Sequence, residues 1–397
     1  MTTSMQTIQK GYKQTEIGVI PADWDVQYLG ALCGKITTGK LNANAMVEGG
    51  EYRFYTCAEE YYQINKYAFD TEALLISGNG ANVGYIHYYK GKFNAYQRTY
   101  VLSDFLADVQ YLKLFLDRNL KERIRVEVNS GNTPYITMGT LTEMQLAIPQ
   151  SKPEQSAIAT ALSDTDSLIA KLEKLIEKKK NIKQGAMQEL LTGKRRLHGF
   201  SGKWETKKLR DIAEMNSGGT PSTSVPEYYG GNIPWVSITD MTNVRKYLFT
   251  TERSLTDKGF ANSATKMFPK GTVLYAMYAS IGECCIATTA VCTSQAILGI
   301  RPKKGLDNHY LYFHLTYKKE EVKTMGQQGT QSNLNAGMVK DFEILLPEIN
   351  EQTAISTVLS DMDTEIEKLE SQLTKYQNLK QGMMQVLLTG KIRLLSK

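Results

Sequence analysis

Cysteine is scarce in this chain of 397 residues: there are five (Cys33, Cys57, Cys284, Cys285, Cys292), an odd number with no CxxC spacing. Neither a disulfide framework nor a structural zinc site is expected, and a reducing cytoplasm is the expected setting. Histidine is scarcer still. His87, His198, His309 and His314 show no metal-ligand spacing, and His309 and His314 stand five apart, off one helical face. An excess of charge of one sign is missing too: 47 Lys+Arg against 41 Asp+Glu leaves +6, which permits a polyanionic partner without requiring one. The opening MTTSMQTIQKGYKQTEIG has no apolar centre of the kind a signal peptide needs. Hydrophobic residues make up 42%, enough for two or three packed domains and too many for a disordered chain.

Catalytic motifs are missing as well. Gly34 to Lys40 (GKITTGK) matches GxxxxGK, but Leu41 follows where a P-loop needs a Ser or Thr hydroxyl for Mg²⁺. Gly78-x-Gly80-x3-Gly84 has one residue too many for a dinucleotide fingerprint and reads as a turn between strands. No Asn-Pro-Pro-aromatic or Asp-Pro-Pro-aromatic tetrapeptide occurs, so no amino-methyltransferase site is expected. Glu365, Glu367 and Glu370 lie with Lys368 along a helix and read as its solvated face. The expectation is binding rather than catalysis.

What is present is a repeat. Glu154 to Leu197 and Glu351 to Leu394 align without a gap at an offset of 197 residues, with roughly 27 of 44 positions identical. The parts before them correspond more faintly. Trp24 and Trp204 each precede a leucine by five residues, Leu74–Ser77 corresponds to Val273–Ala276, and Gln97 and Gln295 follow a glycine by 13 residues. Between Thr272 and Ile300 the only charge is Glu283, a pattern open to a membrane reading. The corresponding stretch of the first half carries His87, Lys90, Lys92 and Arg98. Both are therefore expected to be buried strands of a sheet, with no membrane involved. The domain boundaries expected are 1–152 (with a leading segment 1–22), 153–200, 201–348 and 349–397.

The two repeated segments carry heptad seams. In the first the positions are Ile158, Leu162, Thr165, Ile169, Leu172 and Ile176, then Lys179, Lys183, Ala186 and Leu190. In the second they are Ile355, Leu359, Met362, Ile366, Leu369, Leu373, Tyr376, Lys380, Met383 and Leu387. An apolar stripe needs a partner helix, and two near-identical stripes are most simply paired with each other. Packing of two similar halves about a pseudo-two-fold axis makes the helices antiparallel. At about 1.5 Å per residue, 39 residues give a rod of up to roughly 58 Å. Ser163-Asp164 and Ser360-Asp361 are good N-cap types and predict a break there; Gly193 and Gly390 sit at C′ positions.

These features carry a family resemblance. Gly11-Tyr12-Lys13-Gln14-Thr15-Glu16-Ile17-Gly18-Val19-Ile20-Pro21 stands before Trp24, Glu-Gln opens both helices, and Lys-Gln-Gly-x-Met-Gln-x-Leu-Leu-Thr-Gly-Lys occurs at 183–194 and again at 380–391. Over essentially its whole length the chain resembles a specificity subunit of a type I restriction–modification system. It departs from the family's Pro-Leu-x-Glu-Gln helix start in the first copy, which reads Gln150-Ser151-Lys152-Pro153-Glu154-Gln155. The resemblance implies two α/β (α+β) target-recognition domains separated by two long helices that form an antiparallel coiled coil. It implies double-stranded DNA as ligand, two methyltransferase subunits as partners, and room for motor–nuclease subunits. Each recognition domain would read one half of a bipartite site. S-adenosylmethionine, ATP and Mg²⁺ would belong to the partners, with no cofactor in this chain. It also implies that the two ends of the chain lie close together, recreating tail to head the joint at 190–204. The competing reading is a non-catalytic coiled-coil scaffold with protein-binding end domains.

A DNA reader needs cations for phosphates and amide, hydroxyl or guanidinium groups for base edges, on loops that face the groove. In the first domain the candidates are Lys35, Thr38, Lys40, Asn79, Asn82, Gln97, Arg98, Asn132 and Thr133. In the second they are Ser217, Thr220, Ser222, Tyr278, Ser280, Gln295, Gln327, Gln328, Gln331 and Asn333. Gly-Asn-Ser-Thr loops are also ordinary turns, and Gln97 and Gln295 could equally be buried and bound to backbone. Lys178, Lys179, Lys180, Lys194, Arg195 and Arg196 could meet phosphates between half-sites or form a solvated face.

Overall fold

The computed structural model describes residues 8–127, 134–327 and 334–394. It divides into two compact units: 1–173 with 372–397, and 174–371. Each unit holds one sheet-based domain and parts of both long helices.

The first unit is built on a six-stranded sheet. Its order is Cys33–Thr38, Thr99–Phe105, Phe69–Ser77, Ile86–Ala95, Tyr52–Tyr55, Tyr62–Ile64. All neighbours are antiparallel except Tyr52–Tyr55, which runs parallel to Ile86–Ala95. Leu74, Ile76, Ile86 and Leu102 alternate onto one face and pack on Leu112, Leu116 and Leu120 of the helix Val109–Glu127. A short ladder of Trp24–Tyr28 with Gln145–Pro149 returns the chain to the start of the first long helix.

The second unit repeats this order on a five-stranded sheet: Ala213–Ser217, Ile297–Pro302, Val273–Ala276, Cys284–Ala287, Tyr247–Leu248, with the last pair again parallel. The apolar stretch 272–300 supplies three of these strands, all buried, as expected. A second, four-stranded sheet is added here: Arg253–Leu255, Tyr229–Val236, Val291–Thr293, Met267–Phe268. Glu205–Lys208 pairs with Glu343–Leu346 as Trp24–Tyr28 does with Gln145–Pro149. Among the described residues, no helix is long and apolar enough to cross a membrane.

The long helices are Lys152–Leu190 and Ile349–Leu387, 39 residues each. Neither breaks at its Ser-Asp pair, contrary to the expectation from capping. The Ser360 hydroxyl is accommodated inside the helix instead, donating to Ser356 O, as threonines nearby do: Thr364 to Ser360 O and, in the first helix, Thr165 to Ala161 O. The C-termini match expectation. Gly193 and Gly390 both have φ +69°, and the amides of Arg195 and Ile392 reach back six residues to Glu189 O and Val386 O.

The Glu-Gln helix starts anchor each domain to its helix. Gln155 accepts from the Asp108 amide (2.8 Å) and donates to Pro149 O (2.7 Å). Gln352 does the same with the Asp307 amide (2.9 Å), Pro347 O (2.8 Å) and Gly305 O (2.9 Å). The glutamates receive arginines. In the second unit Glu351, 2% exposed, takes Arg196 at 2.5 and 2.7 Å and the Trp204 indole N–H at 3.0 Å. In the first unit Glu154, 3% exposed, takes Arg393 at 2.5 and 2.8 Å, and the same guanidinium grips Asp23 at 2.7 and 2.8 Å. Gly193 packs on Trp204; Gly390 packs on Pro21 and Trp24, with its carbonyl accepting from the Tyr12 hydroxyl at 3.1 Å. One joint is covalently continuous from 190 to 204. The other brings 12–24 against 390–393.

Candidate nucleic-acid interface

In the first unit, most described candidates gather at one end of the six-stranded sheet. Thr38 ends the strand Cys33–Thr38 and pairs with Tyr100; the chain then passes Lys40. Gly39 donates to Thr99 O and Gln97 donates to Leu41 O, so Thr38, Lys40, Gln97 and Arg98 lie side by side. Glycine is required here: a Cβ on Gly39 would fall 1.9 Å from Ala95 O. This close approach accounts for the glycine of the GxxxxGK-like stretch without any phosphate loop.

The central turn joins the same cluster through Cys57. Its thiol lies 3.1 Å from Asn79 Oδ1 and 3.5 Å from Arg98 O, and its carbonyl accepts from Asn82 at 3.2 Å. Gly80 and Gly84, at φ +80° and +81°, let the turn between Phe69–Ser77 and Ile86–Ala95 close, as the sequence suggested. Lys40, Gln97 and Arg98 are exposed, so Gln97 is not a buried backbone binder. Asn79 and Asn82 spend part of their polar capacity on Cys57. Lys35 is exposed but stands apart, near the middle of its strand, paired with Ser103. Asn132 and Thr133 lie outside the described residues.

The second unit has the corresponding cluster with different chemistry. Gly218 donates to Ile297 O and Gly219 to Thr293 O, bringing Ser217 and Thr220 beside Gln295. A Cβ on Gly218 would fall 2.1 Å from Thr293 Oγ1, the counterpart of the Gly39 constraint. Met277 donates to Ala296 O, so the turn carrying Tyr278 and Ser280 abuts the same loop, with Ala279 at φ +59° where the first domain has glycine. Gln295 and Thr220 are exposed, and Ser222 shares a hydrogen bond with Ser224 at 2.8 Å. Gln327 ends a helix; Gln328, Gln331 and Asn333 lie outside the described residues. Lys266, not foreseen from the sequence, donates to Asn216 (2.9 Å) beside Ser217. Its only prior signal was a cation next to a strand.

The seam residues Ile158, Leu162, Leu172, Ile176, Ile355, Leu359 and Ile366 are buried, and Ile169, Leu369 and Leu373 are half-buried. Within the first unit Lys380 pairs with Asp166 (2.6 Å), Thr165 meets Met383 (3.7 Å) and Arg393 meets Glu154, so the segments run antiparallel. Within the second, Lys179 pairs with Glu365 (2.6 Å), Lys183 with Asp363 and Arg196 with Glu351. Lys180 pairs with Glu370 (2.7 Å) and Arg195 with Glu189 (3.5 Å). Four of the six cations proposed for inter-site phosphates are thereby engaged with carboxylates. Lys246, also unforeseen, is buried against the second helix: its ammonium donates to Ser360 Oγ (2.5 Å) and stands 4.7 Å from the Phe313 ring. Burial pushes its pKa down, against the pull of Asp363.

Among the described residues no group of three or more His, Cys, Asp or Glu could hold a metal ion. The buried thiols of Cys33, Cys284 and Cys285 are pushed well up by burial, which leaves them unreactive.

The model of the family described as "Type I restriction modification DNA specificity domain" matches residues 21–184 and again 201–375. The type I restriction enzyme EcoDI specificity subunit of Escherichia coli is 41% identical over 180 residues, 44% of this chain and 39% of that protein. The type I restriction enzyme MjaIX specificity subunit of Methanocaldococcus jannaschii is 38% identical over 43% of this chain. The chain thus spans about two fifths of the length of these two relatives. A putative specificity subunit of the same archaeon, MjaX, aligns over 97% of both chains at 24% identity. The crystal structure of a type I restriction–modification S subunit from M. genitalium superposes with a TM-score of 0.63 at 15% identity, covering 92% of this chain and 96% of that one, a likeness of fold. Two matched segments, each covering a sheet domain and much of the helix that follows it, place this chain in the type I restriction–modification DNA specificity domain family.

Proposed function

We propose that the chain is the DNA specificity subunit of a type I restriction–modification enzyme. Each recognition domain reads one half of a bipartite site, the paired helices set the spacing, and the helices dock two methyltransferase subunits. S-adenosylmethionine and ATP chemistry resides in those partners and in any motor–nuclease subunit, and the assembly works in the cytoplasm. One observation carries the reading: the same sheet order and the same glycine-constrained loop cluster occur twice, but with Lys40, Gln97 and Arg98 in one copy and Thr220, Gln295 and Ser217 in the other. A duplicated scaffold with two different sets of donors and acceptors suits the reading of two different sequences. DNA affinity is largely electrostatic and, at a net charge of +6, weak for the isolated chain.

The test is co-expression with a methyltransferase of the matching system in a host free of adenine methylation, followed by genome-wide mapping of N6-methyladenine. The reading expects one two-part motif with a fixed gap. Formation of a complex without any motif would refute DNA reading.

A further inference from the structure

The six-stranded sheet has a second face, and among the described residues its buried side chains pack with no helix or second sheet. Arg53 and Tyr55 lie on it, in register with Phe93 and Ala95; His87, Tyr89 and Phe93 follow on the neighbouring strand, and Ala73, Leu75 and Val101 form its floor. In the second unit the equivalent floor, Leu274, Ala276 and Ile297, is closed by Val236, Phe268 and Val291 of the added sheet. In the first unit aromatic rings form the cover instead.

Arg53 sits at the centre of those rings. Its guanidinium carbon is 4.3 Å from the Tyr61 ring centroid and 4.5 Å from that of Tyr89, and Nη1 donates to the Tyr55 hydroxyl at 3.3 Å. Its hydrogen-bond and ring partners are thus the tyrosines Tyr55, Tyr61 and Tyr89. Stacking fixes the guanidinium plane and leaves part of its donor edge unspent, an arrangement suited to a planar anionic acceptor. The face is continuous with the loop cluster: Tyr55 touches His87 (5.0 Å), and His87 Nε2 bonds to Ala58 O (3.0 Å), next to Cys57. Arg53 is four residues from Cys57 along an extended chain, about 13 Å. That is close to the roughly 12 Å width of a major groove, so loops reading base edges would leave Arg53 at the groove's phosphate rim.

We propose that this aromatic–cationic face of the first recognition domain is a sugar–phosphate contact surface, with Arg53 as its anchoring donor beside the first half-site. The inference rests on the DNA-reading function proposed above and adds a contact that fixes position without specifying sequence.

The experiment measures binding of the assembled methyltransferase complex to a duplex carrying its mapped site across a range of salt concentrations. Arg53→Ala should weaken binding on the order of tenfold, lower the magnitude of the log–log salt slope by about 0.9, and leave the methylated motif unchanged. Tyr61→Ala, on an exposed ring, removes one side of the stack but keeps the charge. It should weaken binding several-fold with the slope intact, and it serves if Arg53→Ala disturbs folding. Unchanged affinity and slope in both variants would overturn the proposal while sparing the function. So would an altered base preference in the first half of the motif, which would make Arg53 a base reader. Loss of methyltransferase assembly with DNA binding intact would make the face a protein contact and overturn it equally. If the wild-type complex binds no specific duplex, both readings fall.

Discussion

Replacing Arg393 with methionine tests the joint that closes the first unit. The guanidinium makes two hydrogen bonds to Glu154, whose side chain is 3% exposed, and two to the exposed Asp23. The Asp23 arm is solvated and screened, so it contributes about 0–1 kcal/mol. Glu154 decides the magnitude: left without its partner, it is a buried carboxylate, and removing one member of such a pair costs about 3–5 kcal/mol. For a unit of this size each kcal/mol moves the midpoint by about 2–4 °C, so the first-unit transition should fall by roughly 6–20 °C in differential scanning calorimetry. The double variant Arg393→Met, Glu154→Gln removes the orphaned charge and should recover much of that loss. A shift under about 1 °C in the single variant, or no recovery in the double, would refute the reasoning that a charged clamp closes this joint.

Other outcomes follow from the same geometry. Gln352→Leu leaves the Asp307 amide and the Pro347 and Gly305 carbonyls without their partner, and should destabilise the second unit by roughly 1–3 kcal/mol in chemical denaturation. His314 is buried in the second unit, and burial holds its pKa down at about 3 against an ordinary 6.5. Between those values the unfolded chain binds the proton and the folded chain does not. Its stabilising contribution is therefore complete above pH 6.5 and falls as pH drops, by up to about 1.4 kcal/mol per pH unit. His314→Leu should flatten this part of the stability–pH curve, and an unchanged slope would count against the buried neutral imidazole. Gly39→Ala forces its loop away from Ala95 and should blur the first half of the methylated motif while leaving the second half intact, read by methylation mapping.

The repeat, the helix ends and the buried strands were legible because each depends on local pattern: identity at a fixed offset, glycine at C′, and runs of β-branched residues. The predicted break at Ser360 failed for a local reason too, since its mid-helix hydroxyl finds the carbonyl four residues back as readily as it caps. The partners of the Glu-Gln starts were not legible. Arg393 is 239 residues from Glu154, and only the returning helix brings them together. The candidate loops stood out because glycine and polar residues mark turns, and Gly39 and Gly218 hold two of them tightly against the neighbouring chain. Lys35 fell outside the cluster because a strand residue cannot be distinguished from its loop neighbours by composition. Arg53, Tyr61 and Tyr89 were missed because their stack depends on the pairing of non-consecutive strands, which sequence spacing does not show.

The central claim is that two separable readers share one ruler. The direct measurement is the methylated motif after exchanging segment 203–347 for the same segment of a family member with a different specificity, with the helices and the first domain kept. The account expects one half of the motif to change, while the other half and the gap stay fixed. A change in both halves, or in the gap, would contradict it.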